Sequence, residues 1–268
     1  MATMTEAPWT LAARPGETPT ALSIRRDLAY FAWQQNDNAE FWRRLDTPNL
    51  SLANTRVLDL GCGHGALAVD AAAKGAAHVH GIDLDEDRIA FARTHIPDAF
   101  PTLAPRLTFG SDDLATLPPA SIDIVLCKDT MEHIIELETV VAAVHRLLRP
   151  GGTFVIGTSP LYYSPFGDHG RYLGPGLPWL PALLPEPILF RLASRKHARP
   201  IHSAADVGLN KMTPARFRSL FNPTLWSITT LRYNAGSKPL LTALNLLRRI
   251  PPLEPLATVS IYATIERR

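Results

Sequence analysis

An apolar run that ends in a glycine turn, Val57-Leu58-Asp59-Leu60-Gly61-Cys62-Gly63-His64-Gly65, is followed about one βαβ unit later by Gly81-Ile82-Asp83-Leu84-Asp85. Few folds accommodate that pair. A buried strand, a tight turn, a helix and a second strand closing on a carboxylate make the layout of a nucleotide-binding crevice. Glycines 61, 63 and 65 remove side chains that would hold a ligand off the backbone and permit the angles a tight strand-to-helix turn needs. Asp83 ends the second strand, where its two oxygens can accept both hydroxyls of a ribose. An adenosine-type ligand is expected.

Gly61-x-Gly63-x-x-Ala66 also satisfies the dinucleotide fingerprint, so the glycines do not choose the ligand. Asp59 does. It stands two residues before the first glycine, where a buried parallel strand is ordinarily apolar. A carboxylate there repels a pyrophosphate and attracts an ammonium. S-adenosylmethionine, with an ammonium and a sulfonium, fits better than NAD.

At 268 residues and 46% apolar, the chain can bury a core for one α/β domain with an embellishment. Its two cysteines, Cys62 and Cys127, make a disulfide framework unexpected and a reducing compartment the default. The first twenty residues lack the apolar core of a secretory signal, and proline or charge breaks every long apolar stretch. The expectation is a cytoplasmic protein with no stable membrane insertion and an oligomeric state the sequence leaves open.

The net charge of +2 hides an asymmetry. Residues 56–138 hold fourteen acidic and six basic side chains, whereas residues 191–268 hold thirteen basic and three acidic. Either the C-terminal third is an ordinary solvated face or it meets an anionic substrate or membrane surface. Nucleic acid is not expected as a partner, because no dense basic stripe with interleaved aromatics is present.

Along the chain, residues 1–20 read as a flexible arm and residues 21–268 as one domain. Leu22 to Leu45 has helical spacing and forms, with the residues up to 55, a helical cap. Strands are expected at Val57–Leu60, His78–Ile82, Leu107–Phe109, Ile122–Cys127 and Gly152–Thr158, alternating with helices in a doubly wound pattern. Seven prolines between Pro160 and Pro187 then argue against a regular helix or a central strand. Residues 159–210 are too long for an ordinary connection and follow the ligand-binding edge of the sheet, so they read as a lid over the acceptor. Thr213 and Pro214 open a helix through Phe221. A strand over Leu225–Tyr233, a basic helix over Leu240–Arg249 and a strand over Thr258–Ile265 complete the chain.

Residues 56–158 resemble a class I S-adenosylmethionine-dependent methyltransferase of the small-molecule type that includes the ubiquinone-biosynthesis enzymes. Residues 56–65 are similar to that family's first motif, and Asp83 to its ribose-binding acid. Ser111-Asp112-Asp113-Leu114-Ala115-Thr116-Leu117-Pro118 resembles the adenine loop, with Asp113 at the Asp position and Asp112 in place of the usual Gly. Ile122–Cys127 resembles the fourth strand, Met131-Glu132-His133-Ile134 the turn after it, and Leu147–Ile156 the entry to the fifth strand. The resemblance implies a mixed seven-stranded sheet of Rossmann-like methyltransferase fold, closed by an antiparallel hairpin.

It also implies cofactor contacts at Asp59, Gly61, Cys62, Gly63, Gly65, Asp83, Leu84, Asp112, Asp113, Leu114 and Lys128. N-terminal helices of the family lie over the crevice, which makes Tyr30, Trp33 and Trp42 candidates for the substrate entrance, with simple packing as the alternative. Lid candidates are Tyr162, Tyr163, Asp168, His169, Arg171, Tyr172 and Trp179, with a small satellite core as the alternative for the aromatics.

The expected activity is methyl transfer to O, N or C of a small-molecule acceptor by in-line displacement, for which the protein aligns the reactants and excludes water. A hydroxyl or acidic carbon also needs a base, and His133 and His169 are the candidates. If a helix begins at Asp129, then Asp129, Glu132 and His133 share one face, similar to a Glu-x-x-Glu-His cluster of the ubiquinone-type subgroup; no metal is expected. An NAD(P)-dependent oxidoreductase and a non-catalytic S-adenosylmethionine-binding partner subunit are the alternatives. Cys127-Lys128-Asp129-Thr130 after the fourth strand carries no Asn-Pro-Pro-Tyr signature, which argues against DNA methylation.

Overall fold

Short β-branched and apolar runs separated by helical stretches build a single sheet in the computed structural model, which describes residues 10–174 and 176–268. The strands are β1 (Arg56–Leu60), β2 (His78–Ile82), β3 (Leu107–Gly110), β4 (Ile122–Lys128), β5 (Leu148–Thr158), β6 (Trp226–Tyr233) and β7 (Ile261–Arg267). The helices are α1 (Pro19–Leu45), α2 (Ala66–Ala73), α3 (Glu86–Ala99), α4 (Leu137–Leu147), α5 (Leu180–Leu183), α6 (Glu186–His197), α7 (Pro214–Ser219), α8 (Pro239–Leu247) and α9 (Glu254–Ala257). Strand order is β3-β2-β1-β4-β5-β7-β6, parallel except for β7, which runs antiparallel between β5 and β6.

Alternate residues of each central strand enter cores on opposite faces. Val57, Val79, Ile124 and Val155 pack with residues of α1, α2 and α3, including Phe41, Ala68, Ala72, Ile89 and Ile96. Leu58, Val125, Phe154 and Ile156 pack with Val141, Val144 and Leu147 of α4 and with Phe217 of α7. Covering on both faces explains why these strands read as continuous apolar runs. Asp59 is the exception.

The N-terminal segment forms one unbroken helix. Thr18 caps α1 by accepting the Ala21 N–H at 3.2 Å, and Pro19 occupies the first position, where no donor is lost. Asp46 ends it in the left-handed region, with its N–H on the Trp42 carbonyl at 3.1 Å. Residues 1–9 of the expected arm lie outside the described residues. From Thr10 onward, Arg25 holds the Ala12 carbonyl at 2.7 Å and Arg26 the Leu11 carbonyl at 2.7 Å.

Two sequence expectations need correction. Proline does not exclude a regular helix near the end of its dense run: the twelve-residue α6 starts at Glu186 because Pro187 falls in its first turn, where its missing N–H costs nothing. The last strand starts at Ile261, because Val259 and Ser260 donate their N–H groups to the Asn234 side chain at 2.6 and 3.2 Å. Residues 159–210 also carry a third small core of Tyr162, Tyr172, Leu180, Leu189, Ala193, Ile201, Ala204, Val207 and Leu209.

Candidate active site

Strand order reverses between β1 and β4, and the main cavity, about 1100 Å³, opens beyond their carboxyl ends. The glycine loop forms its floor. Gly65 sits at φ +85°, and a Cβ there would come within 2.7 Å of Ile96 Cδ1 and 2.8 Å of the Phe109 ring. At Gly61, φ +73°, a Cβ would overlap the Thr130 side chain. Both positions need glycine for conformation and for space. Gly65 is thus a packing position and does not line the cavity, whereas Gly61 and Gly63 do.

Four of the loop's backbone donors are already used. Gly61 and Cys62 donate to the Ile82 carbonyl at 2.7 and 3.0 Å, Gly65 to the Cys62 carbonyl at 2.9 Å, and Gly63 to Asp83 Oδ2 at 2.8 Å. A pyrophosphate needs such donors free. Asp83 also accepts the Asp85 N–H on Oδ1 at 2.9 Å, so each oxygen keeps a lone pair for a ribose hydroxyl. Cys62 turns its thiol into the core beside Gly81 and lies off the cavity lining.

Asp59, expected to meet the cofactor, is buried in β1 and lies off the cavity lining, and its Oδ2 has no partner among the described residues. Burial, reinforced by the charge of Asp83 and opposed by Lys128, raises its carboxyl to about 7. Gln34, on the cavity wall, likewise has a buried Oε1 without a partner. Orphaned acceptors are costly unless a donor arrives. Gln34 Oε1 on the wall suits the ammonium of an amino-acid tail, with the Asp59 carboxyl buried behind the lining, so the residues present suit S-adenosylmethionine.

Beside Asp83, Leu84 lines the cavity with 92% of its surface open, an apolar platform of the kind a base stacks on. Asp112 is held by His80 Nε2 at 3.0 Å, and Asp113 Oδ1 caps the following turn through the Ala115 N–H at 2.9 Å. Both line the cavity, as does Leu114. Lys128 lines it too, but its ammonium goes to Asp37 Oδ2 at 2.7 Å and Asn38 Oδ1 at 3.1 Å, which ties α1 to β4.

The cavity is also lined by His133, His169 and Arg171, and by Tyr30 and Trp33 of α1, with the Tyr30 ring 5.3 Å from that of His64 in the glycine loop. His133 Nδ1 lies 2.8 Å from the Gly208 carbonyl and His169 Nε2 lies 3.1 Å from the Pro160 carbonyl. A carbonyl only accepts, so both of those nitrogens carry the proton. His133 Nε2 and His169 Nδ1 are left with bare lone pairs. Burial holds both imidazoles below the ordinary histidine value, His169 at about 4 with His133 as the second cause.

No α-helix begins at Asp129. The chain takes a left-handed residue there, φ 51°, and then a short 3-10 turn over Met131–His133, so Asp129, Glu132 and His133 do not share a helix face. Asn210 clamps this turn by donating to the Met131 and Ile134 carbonyls at 2.6 and 2.7 Å. Glu132 points inward, accepting Thr158 Oγ1 at 2.7 Å and the Ser159 N–H at 3.2 Å, while burial and then Asp129 push its carboxyl up. Glu132, His133 and His169 bring one donor atom each within 4.8 Å of one another, with His169 in the place the sequence pattern offered to Asp129.

The remaining candidates lie elsewhere. Tyr162 and Tyr172 are buried in the third core with their hydroxyls 2.8 Å apart, and Tyr163 packs against that core, so none of the three lines the cavity. The apolar content of residues 159–210 needs somewhere to go, and their aromatic rings provide it. Asp168 is buried, Trp179 donates to the Leu256 carbonyl at 2.9 Å, and Trp42 donates to Asp70 at 2.5 Å; all three lie outside the lining.

Sequence reasoning missed Gln34, Asp37, Phe41 and Arg44 of α1, together with Arg88 and Tyr262. Tyr30, Trp33, Gln34, Asp37, Phe41 and Arg44 recur every three or four residues, a single helix face that the spacing could have exposed. Tyr262 joins them by accepting a hydrogen bond from Arg44 at 2.8 Å.

Residues 51–164 match the family model described as a methyltransferase domain. The ubiquinone biosynthesis O-methyltransferase of Methylococcus capsulatus is 40% identical over 108 residues, 40% of this chain and 45% of that protein. Its namesake from Thiobacillus denitrificans is 39% identical over 140 residues, 49% of this chain and 59% of that one. The chain spans about half the length of these curated relatives. An S-adenosylmethionine-dependent methyltransferase from Mesorhizobium loti shares the fold at TM-score 0.57 and 22% identity, covering 86% of this chain and 99% of its own. Magnesium protoporphyrin IX methyltransferase from Synechocystis, solved with bound SAH, does so at 0.53 and 19%, covering 94% and 89%. Residues 51–164 therefore match a methyltransferase domain, and the chain shares its fold with S-adenosylmethionine-dependent methyltransferases.

Proposed function

We propose that this chain transfers a methyl group from S-adenosylmethionine to an oxygen of a small-molecule acceptor, with His133 as the base. One observation carries the reading: a single cavity joins the glycine floor, Asp83 and the unpartnered Gln34 Oε1 to two imidazoles with bare lone pairs. An oxygen acceptor is further supported by the relatives' shared description as O-methyltransferases.

Asp83 would hold the ribose diol, Leu84 and the Asp113 loop the adenine, and Gln34 the ammonium, with Asp59 acting from behind the lining. When bound, the cofactor supplies a methyl carbon already activated by a sulfonium. The chain's own work is alignment, exclusion of water and proton removal. His133 Nε2 takes the acceptor proton, while Nδ1–H on the Gly208 carbonyl holds the ring in that tautomer. His169 Nδ1 offers a second acceptor to the same hydroxyl, and Arg171 stabilises the oxyanion as the proton leaves.

Titrating the purified protein with S-adenosylhomocysteine and with NAD tests the crevice, and product analysis across small phenols, alcohols and amines tests the acceptor atom. Binding of the thioether product, its loss in Asp83→Ala, and methylation of hydroxyl compounds are the expected results. Tight uptake of the nicotinamide coenzyme, or methylation confined to amines, overturns the reading.

A further inference from the structure

Helix α8 turns to solvent a face that nothing covers among the described residues. Leu240 is 63% exposed, Leu246 61% and Ile250 49%. Leu240, Ala243, Leu246 and Leu247 recur every three or four positions and form one apolar stripe that Ile250 extends past the helix end, while the buried Leu244 flanks it and half-buried Leu241, Asn245 and Arg248 turn away from solvent. The stripe continues into the exposed Pro251 and Pro252.

From residue 234 to 253 the chain carries Lys238, Arg248 and Arg249 and no acidic side chain. Arg248 is occupied, 3.7 Å from the Tyr233 ring centre and 3.6 Å from Glu254. Lys238 and Arg249 are exposed and have no ion-pair partner among the described residues. The apolar stripe therefore has a free cation near each end.

Its place in the fold matters as well. Tyr233 at the end of β6 pairs with Ile261 at the start of β7, and Ile261 pairs with Thr158 at the carboxyl end of β5. The segment between β6 and β7, including α8, thus hangs from the sheet edge that holds the cavity. Trp179 on the Leu256 carbonyl and Leu161 on the Val259 carbonyl, both at 2.9 Å, join it to residues 159–210. That neighbouring segment exposes Leu183 and a basic run of Arg191, Arg195, Lys196 and Arg199.

We propose that α8 lays this face on an anionic lipid surface as a peripheral contact. An apolar stripe flanked by lysine and arginine is the pattern of a helix that lies in the membrane interface, where leucines enter the acyl boundary and cations meet anionic headgroups. No described helix is long and apolar enough to cross a membrane, so the contact is lateral. A second copy is a poorer occupant, because two-fold packing of α8 on itself in antiparallel register would bring Lys238 of one chain against Arg249 of the other. The inference stands apart from the methyl-transfer reading and from the identity of the acceptor.

The test is cosedimentation of the full chain with vesicles of phosphatidylcholine alone or mixed with phosphatidylglycerol, alongside calorimetry with S-adenosylhomocysteine. Binding is expected to the anionic vesicles, weakening as salt is added, and to fall about tenfold in Leu246→Glu with Leu247→Glu and again in Lys238→Glu with Arg249→Glu. Those exposed substitutions should leave thioether binding as it is, so a failure of the lipid contact is separable from a failure of the crevice. Equal binding to both vesicle types, unchanged binding in the leucine variant, or a wild-type dimer that this variant converts to monomer would each overturn the proposal.

Discussion

The imidazole rings of His133 and His169 meet edge to face with their centres 4.8 Å apart, although one follows β4 and the other sits in the long segment after β5. Backbone carbonyls from two further places, Gly208 and Pro160, set their protons. The turn after β4 and three positions of residues 159–210 therefore agree on one arrangement of two bare nitrogens.

That arrangement predicts a displaced pH profile. Both rings are held below the ordinary histidine value, so they stay neutral in the folded protein while a free histidine is becoming charged. The acid limb of kcat/KM should fall below pH 6.5. Arg171 adds to the depression at His133, so Arg171→Ala should move the limb upward. His133→Gln should lower kcat by about 10²- to 10⁴-fold while S-adenosylhomocysteine binds as before in calorimetry. Folding stability carries the same sign: between about pH 4 and 6.5 the unfolded chain binds more protons at His169, so stability is lost as pH falls through that window.

Asp59 predicts a conflict between stability and binding. Its folded value of about 7 lies above that of an unfolded aspartate, so the free protein loses stability as pH rises between about 4 and 7. Asp59→Asn should raise the Tm of the ligand-free protein at pH 8 and weaken S-adenosylhomocysteine there. Thermal melts with and without the ligand measure both. A lower Tm together with unchanged affinity would contradict the role given to the orphaned Oδ2.

Gly65→Ala should be severe although the residue touches no part of the cavity. The left-handed conformation at φ +85° costs an L-residue about 1–2 kcal/mol, and the new Cβ meets Ile96 and Phe109 within 2.8 Å. Urea unfolding should show a loss of about 2 kcal/mol or more.

Tyr172→Phe should act on stability alone. The Tyr162–Tyr172 hydroxyl pair is buried away from the cavity, and removing one member should cost about 1 kcal/mol while KM for any acceptor stays unchanged. A selective rise in KM would instead place this core against the acceptor.

The sequence alone determined the glycine turn and the acid that closes the next strand. Glycines in a strand-to-helix turn, a carboxylate in a buried strand and an acid closing the next strand are neighbours along the chain, and short-range backbone geometry leaves them little choice. It also marked His133 and His169, but as separate possibilities. Only the tertiary structure decided that Asp129 stays out of their cluster, that Asn210 holds the turn under His133, and that Tyr162 and Tyr172 make core instead of cavity wall. Those outcomes depend on which distant carbonyl meets which ring and on where residues 159–210 bury their own apolar surface. Long-range packing settles both, and no local pattern encodes either.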